Sequence, residues 1–281
     1  MTTRRVESHF RSDRDGLRLF RRSWLPGRSD RVLALVHGFA EHSGRYEHVG
    51  RWFAERGYVV HAYDHRGHGR SEGRRTHVEK FDEFLDDLGC FHAAIRAEHP
   101  GLPILLTGHS MGGLIVAAFL ADRRPAVAAA VTSGAALELG PDVSQTRLRF
   151  SRFLRRVAPR LRMKSTLDAS GLSRDADVVA AYLADPHVYR TLTASFGAEL
   201  LAAIDTTRQR AFEIQVPVLV LHGEADPMCP VSGSRAFHEG LHVAGSRLRT
   251  YPGLRHEIFN EPEQEQVFED IIRWTEEVPF R

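Results

Sequence analysis

The stretch LLTGHSMGGLIVAAFLA, residues 105–121, sets one serine between an apolar run and an Ala- and Leu-rich run. Two readings compete for Ser110. Gly, Ser and His are common turn formers, so the serine can be a turn residue that caps a helix. Alternatively, Gly108-His109-Ser110-Met111-Gly112 is a sharp strand-to-helix turn that lifts a reactive hydroxyl into the open. Glycines two before and two after the serine leave room for such a turn to close on itself. A serine hydroxyl is a weak nucleophile without a base, and the base needs an orienting acid. The choice therefore rests on what the rest of the chain supplies.

On a strand–turn–helix scaffold the acid and then the histidine follow the serine in chain order. Both places are filled. VLVLHGEADPMCP (218–230) ends a strand-like run and delivers Asp226 on the following loop. Glu224 competes for the role, but the HGxxD spacing carries the Asp226 side chain past the strand end. YPGLRHEIFNEP (251–262) ends the next run and delivers His256. With 16 histidines in the chain, position counts for more than residue type. His256 stands between the last expected strand and the last expected helix. An oxyanion needs two N–H donors, each worth about 3 kcal/mol of barrier. Met111, the residue after the serine, offers one at a helix N-terminus. The Phe39 backbone, just past His37-Gly38, is the expected second. This chemistry calls for no cofactor and no metal.

The scaffold has the pattern of an α/β fold. Near-continuous apolar runs at 32–38, 58–64, 103–109, 127–133, 216–223 and 247–253 suit parallel strands covered on both faces. Helix-like segments at 45–56, 78–98, 111–123, 232–242 and 262–277 alternate with them, which implies a doubly wound sheet. Segments 4–10 and 17–24 are expected to form an antiparallel hairpin at one edge, turning at DRDG. The alternation breaks once, between Gly134 and Gln215, a gap too long for a simple connection. The reading is an eight-stranded, mostly parallel sheet with a core at 1–136 and 206–281 and an inserted helical cap at 137–205.

Between Pro141 and Ser165 the cap carries eight Arg or Lys against one acid, Asp142. At 100° per residue, Val143, Phe150, Phe153, Leu154, Val157 and Leu161 share one arc and Arg149, Arg152, Arg155, Arg156 and Arg160 the other. Two readings stay open: a helix packed on the domain with a solvated basic face, or a surface helix in peripheral contact with anionic membrane. Over the whole chain the composition is that of an ordinary globular protein, 42% hydrophobic and 26% charged, with a net charge of +2. No nucleic-acid partner is implied. The polar start MTTRRVESHFRSDRDG lacks a signal-peptide core, and no apolar stretch is long enough to span a membrane. Cys90 and Cys229, far apart, imply neither a disulfide framework nor zinc. A cytoplasmic location follows as the expectation.

With these residues in place, the chain resembles the α/β-hydrolases of the monoacylglycerol lipase and lysophospholipase group, the serine aminopeptidase S33-type hydrolases. HGFAEHSGRYEHV (37–49), YDHRGHGRSEG (63–73), GHSMGG (108–113) and LSRDADVVAAYLADPHVY (172–189) carry the likeness, with HGEADPMC and GLRHEIFNE as weaker matches. The resemblance implies hydrolysis of a carboxylic ester with a single acyl chain under the cap. It assigns the triad to Ser110, Asp226 and His256 and the oxyanion donors to Phe39 and Met111. It also puts Glu41 and Arg45 near the polar end of the site, although a salt-bridged loop is the plainer reading of those two. A monoacylglycerol, a lysophospholipid and a short- or medium-chain ester remain alternative substrates. A catalytically silent binding protein is the rival from another class. Peptidases for N-terminal proline usually carry an HGGPG-type loop, and epoxide hydrolases an elbow aspartate; this chain has neither.

The remaining features read as structural. YDHRGHGRSEG lacks P-loop spacing; Asp64 and Arg66 are expected to hold neighbouring backbone. No regular spacing supports His37, His42, His65 and His68 as a metal set. Cys90 fits a core helix position, and Cys229, three residues after Asp226, is expected near the site as a bystander thiol.

Overall fold

The computed structural model describes residues 3–138, 140, 153–165 and 167–278. Strands β1 (Arg4–Arg11), β2 (Arg18–Leu25), β3 (Arg31–Val36), β4 (Tyr58–Tyr63), β5 (Ile104–His109), β6 (Ala129–Ser133), β9 (Val218–Gly223) and β10 (Arg247–Tyr251) form one sheet. Its order is β1-β2-β4-β3-β5-β6-β9-β10. The β1–β2 and β2–β4 pairs are antiparallel and every other pair is parallel. β1 and β10 are the edge strands; β1 alternates exposed, mostly charged residues with half-buried ones, which discourages pairing with another chain.

The inner strands are apolar throughout because both faces are covered. Along β3, Val32, Ala34 and Val36 join the core under α2 (Asp82–Glu98) and α3 (Met111–Arg123). Leu33 and Leu35 point the other way, to Trp52 and Phe53 of α1 (Glu47–Glu55) and Phe268 and Trp274 of α7 (Gln264–Glu277). Successive side chains on a strand point to opposite faces, so a two-sided sheet erases polar alternation. α3 is itself buried almost all round, which is why its sequence shows no polar stripe.

Between β6 and β9 the described residues hold a helical stretch at 153–157, α4 (Ala176–Ala184) and α5 (Ala194–Gln209). They also hold a two-stranded antiparallel ribbon that the sequence reading lacks, β7 (Arg162–Lys164) with β8 (Thr191–Thr193). Three residues per strand leave no hydrophobic run to read, and the pairing is long-range. The helix α5 runs across position 205, where the expected cap ends. α6 (Val231–Glu239) follows β9. Val143, Arg149 and Phe150 lie outside the described residues.

The loop after β4 corrects one expectation. Asp64 does bind backbone: its carboxylate accepts from the Ser43 N–H and the Arg70 N–H, both at 2.8 Å. Arg66 does not. Its guanidinium forks onto Asp87 at 2.6 and 2.7 Å and also reaches Glu83 and Asp15. Arg66 and Asp87 are buried, and a buried guanidinium is held best by carboxylates that match its planar fork. Cys90 is half-buried, not deep core, and its sulfur accepts from the Asp13 N–H at 3.3 Å.

Candidate active site

Ser110 is the hinge between β5 and α3, at φ 53° and ψ −119°. A residue with a Cβ seldom adopts positive φ, so the turn must be held from outside. The Ser110 N–H donates to Ser133 O at 2.9 Å on β6, and its carbonyl accepts from Leu114 and Ala136. The flanking glycines are required by contact. A Cβ at Gly108 would lie 2.3 Å from Gly112 O, and one at Gly112 would lie 2.1 Å from Val36 O. The close approach of β5, β3 and α3 therefore explains both glycines of GHSMG.

The three residues expected to act together are brought into one hydrogen-bonded line. His256 Nε2 is 2.9 Å from Ser110 Oγ, and His256 Nδ1 is 2.7 Å from Asp226 Oδ2. The other carboxylate oxygen, Oδ1, accepts from the backbone N–H of Met228 at 2.8 Å and Cys229 at 3.0 Å. Burial opposes the negative charge, but His256, a second histidine and these backbone donors hold Asp226 well below the usual carboxylate range. Burial likewise opposes a charged His256, and the Asp226 carboxylate more than offsets it. His256 consequently titrates above the ordinary histidine value. His109, with its ring 4.9 Å from that of His256, behaves oppositely. Burial, aided by the neighbouring His256, pushes it to about 3, so it stays a neutral wall. Glu224 lies outside the line and accepts from the Thr250 hydroxyl.

The loop of Phe39 is fixed by buried polar groups that sequence reasoning assigned no role. A Cβ at Gly38 would sit 3.1 Å from Ser110 Cβ, so this loop lies directly against the serine. His37 Nδ1 donates to Gly38 O at 2.7 Å, while its Nε2 accepts from the His65 N–H at 2.9 Å. His65 Nε2 in turn donates to His37 O at 2.9 Å. Burial, with His65 and His68 alongside, pushes His37 well below the ordinary histidine value, so this neutral pairing persists. The peptide between Gly38 and Phe39 is trans. Anchoring its carbonyl on His37 turns the Phe39 N–H to the opposite side. Among the described residues that N–H has no hydrogen-bond partner. Met111 is the first residue of α3, where an amide has no acceptor within its own helix. The Phe39 ring packs against Phe196 of α5 at 5.2 Å.

Glu41 and Arg45 reach this region as parts of a buried ion network. Glu41 Oε1 accepts from the Gly38 N–H and the Tyr46 hydroxyl, both at 2.6 Å, and Oε2 from Arg45 at 2.7 Å. Arg45 also grips Glu257, the neighbour of His256, with a contact at 2.8 Å. Burial works against its charge, and Glu257 and Glu41 more than offset that, so Arg45 stays a cation. The network thus ties the Phe39 loop to the His256 loop. Glu257 escaped the sequence reading, since a lone acid beside the expected base carries no pattern. His37, His42, His65 and His68 do not converge as a ligand set. His42 instead pairs with Asp185 at 2.9 Å, and the other three rings bind backbone. Cys229 Sγ does lie within 4.8 Å of the acid and base side chains. Burial pushes its thiol well above the ordinary value, so it is no ready thiolate.

The stretch LSRDADVVAAYLADPHVY docks on both loops. Glu257 N–H donates to Leu172 O at 2.8 Å, and Arg255 reaches Ser170 O and Ser173 O. Ser173 and Arg174 bind Glu261. At the other end the Tyr189 N–H donates to Ala40 O at 3.0 Å, and Arg45 lies over the Tyr182 ring. The segment between β6 and β9 is therefore bonded to the loops that carry Phe39 and His256.

Comparison with known proteins agrees with this arrangement. The sequence pattern of the family described as serine aminopeptidase, S33, matches residues 27–263. A monoacylglycerol lipase of Mycolicibacterium smegmatis is 41% identical over 92% of this chain and 93% of its own. The human monoglyceride lipase is 35% identical over 92% of this chain and 87% of its own. The crystal structure of the Paleococcus ferrophilus monoacylglycerol lipase superposes with a TM-score of 0.83 at 29% identity, covering 98% of both chains. The chain belongs to the serine aminopeptidase S33 family of α/β-hydrolases, and it is a carboxylic ester hydrolase.

Proposed function

We propose that this chain hydrolyses monoacylglycerols to fatty acid and glycerol through an acyl-enzyme on Ser110. The observation that carries the reading is the unbroken line Ser110–His256–Asp226 at the end of β5, beside the Phe39 loop. The similarity to monoacylglycerol lipases supports the choice of ester. Ser110 Oγ attacks the acyl carbonyl while His256 Nε2 takes its proton. Asp226 keeps the imidazole in the tautomer with Nδ1–H and stabilises its charged form. The Phe39 and Met111 N–H groups receive the oxyanion. His256 then protonates the departing glycerol oxygen, and a water deprotonated by His256 releases the fatty acid. Residues 137–205 are taken as the cap over the acyl chain.

An activity panel of monoacylglycerols, lysophospholipids and p-nitrophenyl esters of graded chain length tests the substrate. Monoacylglycerols are expected to give the highest kcat/KM, and Ser110→Ala to lower kcat about ten-thousandfold or more. A lysophospholipid or a short ester as best substrate would assign the same chemistry to that rival. Ester hydrolysis surviving in Ser110→Ala would overturn the mechanism.

The pH profile follows from His256. It must be neutral to accept the Ser110 proton, and its pKa is raised. Activity is therefore full at alkaline pH and falls as pH drops through a value above the ordinary histidine figure of about 6.5. An acid limb at or below that figure would contradict the Asp226 assignment.

Peripheral contact with an anionic membrane is the reading of the cap that its surface favours. Phe153 and Val157, on the helical stretch 153–157, are 58% and 60% exposed, and Leu161, Leu167 and Leu183 are exposed as well; among the described residues of the apolar arc, Leu154 alone turns inward. Arg155, Arg156, Arg160, Arg162 and Lys164 are exposed in the same stretch. An apolar ridge set among cations suits insertion at a headgroup boundary, where each cation near an anionic surface adds about 1 kcal/mol. Binding to phosphatidylglycerol vesicles is expected to weaken in salt and with Phe153→Asp plus Val157→Asp. Equal binding to neutral phosphatidylcholine vesicles, or none to either, would refute the contact.

A further inference from the structure

Asp226 has a second histidine on it. His222, the last residue but one of β9, is fully buried, and its Nε2 lies 3.1 Å from Asp226 Oδ2. The same nitrogen is 2.8 Å from Cys229 O. Both neighbours are acceptors, one a carbonyl and one a carboxylate. A lone pair at Nε2 would face two oxygens, so Nε2 carries the ring proton. Nδ1 then accepts, and its partner at 2.7 Å is the hydroxyl of Ser234 on α6, itself fully buried. The two oxygens at Nε2 thus set the tautomer, and the Ser234 hydroxyl supports it by donating to Nδ1.

The count of donors around Asp226 gives this contact its weight. Oδ1 receives the Met228 and Cys229 N–H groups, and Oδ2 receives His256 Nδ1–H and faces His222 Nε2–H. A carboxylate has four lone-pair sites; three take hydrogen bonds from Met228, Cys229 and His256, and the His222 ring nitrogen, bonded to Cys229 O, stands 3.1 Å from Oδ2. Donors on both oxygens thus hold the carboxylate against rotation in front of His256. The His222 N–H also draws charge from the same oxygen that holds the base.

We infer that His222 is a positioning residue for the acid, acting through Oδ2 of Asp226 on the tautomer and basicity of His256. The inference rests on the hydrolase reading above. Other groups bear on His256 from each side: His109 at the end of β5, and Glu257 and Glu41 of the ion network. None of these touches Asp226. Removing the His222 donor leaves Oδ2 more negative, so the His256 imidazolium is held more tightly and the acid limb moves to higher pH. Glutamine can offer an amide N–H near the position of Nε2; leucine cannot.

The test compares His222→Leu, His222→Gln and Ser234→Ala in the full chain. In His222→Leu, kcat is expected to fall about tenfold or more with KM within about twofold, and the acid limb to rise. His222→Gln should recover most of kcat and the original limb. Ser234→Ala, a small change in case leucine prevents folding, should move the limb the same way by less. The low-field proton resonance of His256 Nδ1–H gives a readout independent of turnover. It should shift in His222→Leu and Ser234→Ala and return in His222→Gln. An unmoved resonance in folded Ser234→Ala, or glutamine failing as far as leucine, would overturn the inference. If wild type turns over no ester while the resonance responds as described, the hydrolase reading fails and the positioning contact stands.

Discussion

The arrangement depends on one backbone constraint, a serine held at positive φ where β5 turns into α3. Such a conformation costs about 1–3 kcal/mol and lasts only where the surroundings over-determine it. Here β6 supplies the hydrogen bond to the Ser110 N–H, and β3 closes on Gly112 so tightly that no side chain fits. The same crowding sets the Phe39 loop against the serine. The proposed nucleophile and both proposed oxyanion donors are thus fixed by the packing of three neighbouring strands.

Around this hinge the polar groups form two supports. Backbone amides and two histidines hold Asp226, and so the imidazole that faces Ser110. The Glu41–Arg45–Glu257 network joins the loop before the hinge to the loop carrying His256. A buried ion pair of this kind is a weak source of net stability, because desolvation offsets most of its attraction. Its effect here is geometric: the two loops cannot shift independently without breaking a buried charge pair. The proposed cap touches both loops that this network joins, through Leu172 at Glu257 and through Tyr182 and Tyr189 at Arg45 and Ala40. A change in cap position would therefore be felt at both.

The sequence was most legible where a local rule governs. Two-sided burial makes β3, β4, β5 and β9 continuous apolar runs, and the chain order of serine, acid and histidine is readable without contacts. The ribbon of β7 and β8 escaped because three-residue strands paired across nearly thirty positions carry no local period. Arg66 misled because the glycine-rich loop around it suggests backbone bonding, whereas its partners Asp87 and Glu83 sit on a helix about twenty positions on, where nothing local tells a buried partner from a solvated acid. Glu41 and Arg45 were read near the site, but not their buried partner Glu257. Among sixteen histidines, chain position marks out His256, but nothing in the sequence marks His222 or His37 as supports. Their roles follow from the neighbours of each buried ring, which are properties of the fold.

The central claim is that Ser110 is a nucleophile activated by His256 and not a turn residue. Intact-protein and peptide mass spectrometry after treatment with a fluorophosphonate tests it most directly. The account predicts a single adduct on the peptide containing Ser110, slowed sharply in His256→Ala and absent in Ser110→Ala. Folded wild-type protein that takes up no label, or that is labelled at another residue, would contradict it.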